Sequence, residues 1–234
     1  MKTIVILTGA GISAESGVQT FRGGGGLWEG ERVEDVATPE GFARDPLRLQ
    51  RFYNERRREL LSGVEANEGH RALARLQREF EGEVVLITQN IDHLHEKGGS
   101  PEVLHMHGEL LKARCVSCNE DFEIRGDLGS ETSCPLCESR GTSRPDVVWF
   151  GEMPHHMPRI EKALARADLF IAVGTSARVY PAAGFSELAL DAGAETIEVN
   201  LERTAGSDRF SRVEDGPAGK VLPKLVDELL GKEP

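Results

Sequence analysis

Three short runs along this chain are apolar at their centres, rich in β-branched residues, and end in small or polar residues. They are 2–8 (KTIVILT), 83–88 (EVVLIT) and 168–173 (DLFIAV). Continuous apolar runs of this length read as parallel strands buried on both faces. Residues 103–108 (VLHMHG) and 195–199 read as two further strands. Helical spacing fills the gaps between them. The segment 46–61 opens on proline and carries Leu49, Phe52, Tyr53 and Leu60 at three-, four- and seven-residue intervals. Asn67 is a helix N-cap in front of 68–80, whose Leu73, Leu76 and Phe80 share one side. Helices are also predicted over 158–167, 182–192 and 220–230, whereas 27–39 reads as a turn and irregular chain.

Polar and glycine residues follow each strand. In open α/β sheets ligands bind beyond the carboxyl ends of the strands, so these positions are candidate contacts. After the first strand comes Gly9-x-Gly11-x-x-Ala14, a pattern that turns tightly and lets backbone approach a pyrophosphate. A helix starting near Ser13 would aim its N–H groups at those phosphates. Gly17 stops it after about one turn, and Thr20-Phe21-Arg22 leads into four glycines at 23–26. A dehydrogenase fingerprint would instead continue as an unbroken helix. Gln89-Asn90-Ile91-Asp92 follows the second of the long strands; Asn90 and Asp92 also suit plain helix capping there. Gly174-Thr175-Ser176 and Asn200-Leu201-Glu202 follow two others.

GAGISAESG followed by TFRG resembles the signature of the sirtuins, NAD-dependent protein lysine deacylases, departing from it at Gln19, where that family usually has proline. TQNIDHLHEKGG resembles a second sirtuin motif over its whole length, and the likeness runs from residue 9 to about 218. It implies a Rossmann-like parallel sheet with helices on both faces, plus a small lobe holding a helical module and a zinc ribbon. The whole chain, 1–234, would be one catalytic domain. Its large lobe would comprise 1–26, 64–108 and 146–234, and its small lobe 27–63 and 109–145. NAD and substrate would enter the cleft between the lobes from opposite sides.

The resemblance also assigns residues. Gly9, Ala10, Gly11, Ser13, Ala14, Glu15, Thr20, Phe21, Arg22 and Trp28 would face NAD from the first turn and its loop. Gln89, Asn90, Ile91 and Asp92 would hold the nicotinamide end, and Gly174, Thr175, Ser176, Asn200, Leu201, Glu202 and Ala218 the remainder. His107 in the His-Gly pair would be the catalytic base, with Asn90 and Asp92 organising the reacting ribose; His105 would point to the opposite face of the strand. The acyl oxygen would attack C1′ as nicotinamide leaves, and His107 would deprotonate the ribose hydroxyls so that the 2′-oxygen attacks in turn. Val148, Gly151 and Glu152 lie in a run resembling the one along which the substrate peptide adds as a strand. Ala37, Tyr53 and Arg56 resemble the acyl pocket of class III sirtuins, which accept succinyl- and malonyl-lysine. Tyr53 and Arg56, three apart on a helix, share a face, and an arginine fork suits a carboxylate. The Arg56–Arg58 run taken alone reads as a solvated basic face, giving Arg57 no role.

Cys115-x-x-Cys118 and Cys134-x-x-Cys137 enclose fifteen residues, the spacing of a closed four-cysteine zinc ribbon with no open position for chemistry. A thioredoxin-like redox pair would need a single Cys-x-x-Cys in a βαβ unit. The zinc is therefore expected to be structural.

Composition bounds the rest. Net charge is −11, against a general nucleic-acid binder, and no apolar stretch approaches a membrane span. The first strand begins at residue 2, so no targeting peptide is expected and the cytoplasm is the predicted compartment. The expected partners are acylated lysine side chains of proteins. An NAD(P)-dependent oxidoreductase and a non-catalytic zinc-ribbon scaffold remain as alternatives.

Overall fold

Six strands form one parallel sheet. They are β1 (Thr3–Thr8), β4 (Glu83–Thr88), β5 (Leu104–His105), β9 (Leu169–Val173), β10 (Glu195–Asn200) and β11 (Arg212–Asp215). Their order across the sheet is β11-β10-β9-β1-β4-β5. The computed structural model describes residues 2–19, 27–28, 30–176 and 178–232; the expectations placed on Thr20, Phe21 and Arg22 lie outside the described residues. Every residue of β1 is buried, because helices cover both faces. Ile4 and Ile6 face α5 (Glu68–Glu79) and α9 (Ala218–Leu229), where Leu73, Leu76, Leu222 and Val226 join them. Val5 and Leu7 face α7 (Met157–Leu164) and α8 (Phe185–Asp191), with Ile160 and Phe185. The chain runs outward from β1 to β4 and β5, then crosses to β9, β10 and β11 on the other side. The strand order therefore reverses between β1 and β9, and the crevice at such a reversal is where α/β sheets bind ligands.

A second sheet was not legible in the sequence. β6 (Gly108–Cys115) pairs antiparallel with β7 (Asp121–Glu123) and β8 (Ser143–Val147). The segment 27–39, expected to be irregular, holds a hairpin of β2 (Leu27–Trp28) and β3 (Glu31–Arg32), then α2 (Val33–Val36). α3 (Pro39–Arg44) follows, capped by Thr38 through a bond from Gly41 N–H at 3.0 Å. The expected strand at 103–108 shrinks to two residues, because Gly108 takes a φ of +79° and starts β6 in a new direction. A Cβ there would lie 2.0 Å from the Asp146 carbonyl, so only glycine fits after His107.

α4 (Pro46–Leu61) links the two sheets, and the solvated reading of its arginine run holds at Arg58 but fails at Arg57. Its apolar face shares a core with Val36, Leu110, Val147 and Trp149. Its next face is polar and buried. Gln50 donates to the Ser143 carbonyl at 3.1 Å, and Asn54 bonds both the carbonyl (2.8 Å) and N–H (2.9 Å) of Leu128. Arg57 is wholly buried and donates to Leu110 O (3.0 Å), Gly126 O (3.2 Å) and Asn54 Oδ1 (2.8 Å). Burial pulls its guanidinium down to about 10, against the pull of Asp127. Arg57 is thus a clamp between α4 and the second sheet.

α5 begins as expected at Asn67, whose side chain accepts from Gly69 N–H (2.9 Å) and His70 N–H (3.4 Å). His70 closes the capping box by accepting the Asn67 N–H at 3.3 Å through Nδ1. Its Nε2 faces Ser13 Oγ at 3.5 Å, and its ring meets that of His95 edge-on at 4.9 Å. Burial, with Arg71 nearby, lowers the His70 pKa from 6.5 to about 4, so the folded protein holds it neutral. Between those values the unfolded chain binds a proton that the folded one does not, so stability falls as pH drops through this window. The difference is worth about 3 kcal/mol. Urea titrations at pH 7 and pH 4.5 are expected to show a smaller acid loss for His70→Gln than for wild type. Identical losses in the two proteins would remove His70 from the acid sensitivity.

Candidate active site and metal centre

The turns after β1, β4, β9 and β10 converge on one cleft of about 1180 Å³. Gly9 donates its N–H to Val173 O, and Gly11 to Gly174 O, both at 2.9 Å. A Cβ on Gly11 would lie 2.5 Å from Gly174 Cα, so the two turns touch backbone to backbone. The helix after this turn, α1 (Ala10–Ser13), starts earlier than expected and lasts one turn before a 3-10 segment ends at Gly17. The N–H groups of Gly9 and Gly11 are therefore taken by the β9 turn, which leaves fewer of them for an anion than the sequence pattern implied.

Ser13 is fully buried beneath this turn and gathers the polar residues that follow β4. It donates to Asp92 Oδ2 at 2.9 Å and accepts from Asn90 Nδ2 at 3.1 Å. Asn90 Nδ2 also donates to Gly9 O at 3.1 Å, so both its amide hydrogens are used and its carbonyl oxygen is left for a ligand. Asp92, one residue before the α6 (Leu94–Lys97) N-cap His93, accepts the Leu94 N–H at 3.0 Å; burial raises its pKa, against these two bonds. It thus satisfies the first N–H of that helix, as a capping residue does, while lining the cleft. Gln89 bridges to Thr175 Oγ1 at 3.0 Å, and Asn200 donates to Thr175 O at 2.9 Å.

His107 lies in the same cleft, and its Nδ1 meets the Gln89 carbonyl at 3.0 Å. A carbonyl only accepts, so Nδ1 carries the proton and Nε2 presents its lone pair. Burial holds the imidazole below its ordinary value, with His155 adding to the effect. His105 turns away, as its place on the strand implied, to bond Asn90 O (3.2 Å) and Glu96 (2.8 Å). Burial opposes its protonation, but Glu96 outweighs that and raises its pKa.

At the far side Tyr53 is fully buried and accepts the Trp149 indole N–H at 3.2 Å, which leaves its own O–H to donate. Burial raises that phenol well above its ordinary pKa, so it stays protonated. The Arg56 guanidinium lies 3.8 Å over the Phe52 ring and donates to Phe52 O at 3.0 Å. Ala37 is buried and its carbonyl accepts the Phe150 N–H at 2.9 Å. Trp28, expected beside NAD, packs edge-on against Phe52 and Tyr53 and so belongs to this end.

The run from Val148 to Glu152 is a turn, not the strand its sequence suggested, because β8 ends at Val147. Val148 N–H bonds His107 O at 2.9 Å, and Glu152 accepts the Trp149 N–H at 2.8 Å. Glu152 is held by Arg144 at 2.6 and 2.9 Å, so it braces this turn. Glu15 likewise serves the fold by accepting the Gly219 N–H at 2.8 Å in the first turn of α9. Ala10, Ala14, Ile91, Gly151, Ser176, Leu201, Glu202 and Ala218 complete the expected residues, and all of them line the cleft. Arg178, Tyr180 and Arg203 line it too, though nothing in their spacing marked them.

The four cysteines meet outside this cleft. Cys115 and Cys137 sulfurs lie 3.7 Å apart, Cys118 and Cys134 3.9 Å, and all four fall within 4.8 Å. A tetrahedral zinc with bonds near 2.3 Å sets sulfurs about 3.8 Å apart, so the set fits that ion. Both knuckles turn alike: Asn119 and Glu138, each following the second cysteine of its pair, take φ of 60° and 62°.

The Sir2 family model matches residues 9–181, and the chain belongs to the Sir2 family, the sirtuins. It is 55% identical over 230 residues to an NAD-dependent protein deacylase of Vibrio vulnificus (strain YJ016), covering 98% of this chain and 94% of that protein. It is 56% identical over 235 residues to the NAD-dependent protein deacylase SIR2rp3 of Trypanosoma brucei brucei, covering 99% and 96%. Among solved structures it resembles a Sir2 homologue–NAD complex, 40% identical, TM-score 0.87, covering 97% of this chain and 89% of that one. It also resembles Sir2Af2 bound to a myristoylated histone peptide, 35% identical, TM-score 0.74, with 97% and 91% covered. No helix among the described residues is long and apolar enough to cross a membrane.

Metal analysis of the purified protein is expected to find about one zinc per chain. Cys134→Ala should expel it and lower the melting temperature. A metal-free protein that is equally stable and active would defeat the structural role.

Proposed function

We propose that this chain removes acyl groups from lysine side chains of proteins while consuming NAD and one water, which completes release of the amine, giving free lysine, nicotinamide and O-acyl-ADP-ribose. The observation that carries the reading is His107. It is a neutral imidazole, with Nδ1 fixed by Gln89 O, in the cleft where Asn90 and the Gly9–Gly11 turn also meet. A general base needs a free lone pair and a pKa at or below the working pH, and both conditions hold here. NAD supplies the ribose carbon that the acyl oxygen attacks. Asn90 offers it a fixed carbonyl oxygen, and His107 Nε2 takes the proton from a ribose hydroxyl. The substrate peptide lies along the 148–151 turn, which offers the Val148 carbonyl and the Gly151 N–H. The zinc set and α4 brace the small lobe, making the whole chain one catalytic domain.

The acyl group enters beside Tyr53, Arg56 and Ala37, which supports succinyl and malonyl chains as well as acetyl. A carboxylate entering this pocket is costly unless a cation and a donor meet it. Arg56, a cation lining the cleft three residues from the Tyr53 O–H, supplies that pairing. Hydride transfer is not favoured, because the helix after the first glycine turn ends at Gly17 where a dehydrogenase fingerprint continues unbroken, and a passive scaffold needs no base at His107. Incubation with NAD and an acylated peptide should release nicotinamide with no rise in NADH absorbance; NADH formation would sink the deacylase reading.

His107→Ala should cut turnover by about 10²–10⁴-fold while ADP-ribose binding stays within a few-fold. Because the base must be unprotonated and its pKa is lowered, the acid limb of kcat/KM should fall below the ordinary 6.5. An acid limb at or above that value, or near-wild-type turnover of the variant, would exclude His107 as the base. Arg56→Met should lose desuccinylation by roughly 10- to 150-fold, the range of one charge-assisted bond, with deacetylation changed only a few-fold. Arg58, whose side chain is 61% exposed, is the matched control, since Arg57 is buried. Equal loss of both activities in Arg56→Met would leave only a general deacylase.

A further inference from the structure

β10 carries one buried carboxylate that the chemistry above does not use. Glu198 is 1% exposed and lies on the face of β10 opposite Ile197 and Val199, which pack into the α5–α9 core. A carboxylate in that position is costly unless its oxygens are matched by donors. Here they are. Oε1 accepts from Asn200 Nδ2 at 3.1 Å and from Thr204 Oγ1 at 2.9 Å, and Oε2 accepts from the Ser207 hydroxyl. The loop after β10 is tied to the same point, because Thr204 N–H donates to Ser207 Oγ at 2.7 Å.

The consequence falls on Asn200. One of its amide hydrogens goes to Thr175 O at 2.9 Å and the other to Glu198 Oε1. Two acceptors at one end fix which end carries the nitrogen, and the remaining group, the carbonyl oxygen, is left for the cleft that Asn200 lines. A carbonyl oxygen accepts and cannot donate, so it reads a hydroxyl and repels a phosphate. Glu198 directly behind it and Glu202 in the same cleft add negative charge, and Arg203, which also lines the cleft, faces Asp215 at 3.7 Å.

The sheet order says which ribose. His107 follows β5 and Asn200 ends β10, four strand spacings apart, or about 19 Å. A dinucleotide with its reacting ribose at His107 and its pyrophosphate over the β1 turn brings its other nucleoside to Asn200. We propose that Glu198 is a positioning residue for that distal ribose. It holds the Asn200 carbonyl toward the cleft so that the site accepts a 2′-hydroxyl and refuses a 2′-phosphate. This rests on the NAD reading above.

The test is calorimetric titration of the zinc-loaded full chain with ADP-ribose and with its 2′-phosphate. Wild type should bind ADP-ribose at least about tenfold more tightly. Glu198→Leu should weaken ADP-ribose binding and shrink that ratio at least about fivefold. Glu198→Gln, which keeps an acceptor for Asn200, should restore the ratio. Loss of loop order alone would weaken both ligands together and leave the ratio unmoved. If the leucine variant does not fold, Glu198→Asp, shorter by one methylene, should show the same shrinkage. An unchanged ratio in the folded Leu or Asp variant, or a glutamine variant no better than leucine, overturns the proposal. Asn200→Ala separates the two readings: it should also lose the ratio. If it alters neither affinity, the placement of NAD at this end is wrong; if it alters the ratio while Glu198 variants do not, only the role of Glu198 fails.

Discussion

The contact of the Gly11 and Gly174 backbones governs where everything else in the cleft stands. A Cβ on Gly174, at φ +60°, would lie 2.6 Å from Ile12 N, so neither turn tolerates a side chain at the meeting point. Both turns are then closed by N–H donation across the reversal of strand order, at 2.9 Å each. The close approach buries Ser13, and a buried hydroxyl has to find partners. It finds Asp92, Asn90 and His70, which come from a strand end and a separate helix. One steric constraint thus becomes a polar network that sets the orientation of Asn90. The same contact places Thr175, whose hydroxyl accepts from Gln89 and whose carbonyl accepts from Asn200. Through Gln89 O it reaches His107. Every link on this path is a hydrogen bond, so the base and both asparagines are positioned from the same pair of turns.

The histidines of the network are held uncharged, apart from one. His70 and His95 are held neutral by burial, and His107 is shifted the same way. His105 alone moves upward among this group, and it faces Glu96 on the far side of the strand. Donors and acceptors held by the fold suit a site where charge develops during reaction, since they need not reorganise as it does.

The sequence made the central strands and the strand-end residues legible because burial on both faces leaves an unmistakable apolar run. It hid the second sheet for the opposite reason. β6 alternates buried and half-buried residues, and its partner β8 is SRPDV, with an arginine, a proline and an aspartate inside it. Its strands are held by pairing across the zinc loops, between residues as far apart as Gly108 and Val147, which no local pattern records. β11 was missed likewise, since an edge strand of composition RVED has no apolar signature. At the site, the residue types were readable but their commitments were not. Glu15 and Glu152 look like ligand contacts in a motif, yet their carboxylates are bound to Gly219 N–H and to Arg144. Trp28 has no periodic context, so its place against Tyr53 depended wholly on how the hairpin before α2 folds back.

Arg56, Arg57 and Arg58 show how little a charge run says by itself. Successive residues on a helix are rotated by about 100°, so three neighbours face three directions. Arg58 points to solvent, 61% exposed, near Asp127. Arg56 reaches the cleft over the Phe52 ring. Arg57 falls between them, in line with Asn54 and Gln50 at intervals of three and four, and that line meets the second sheet. An apolar stripe at those positions would bury as well, but it would let the helix slide. Hydrogen bonds to the backbone at Ser143, Leu128, Gly126 and Leu110 are directional, so they fix both the height and the rotation of α4. Rotation decides what faces the cleft: with Arg57 held, Tyr53 and Arg56 line it. The thiolate set closes the loops that carry Gly126 and Leu128, and so holds in place the carbonyls that Arg57 and Asn54 grip. The four cysteines stand outside the cleft and still bear on it, through a helix whose polar face is bonded to the loops they close.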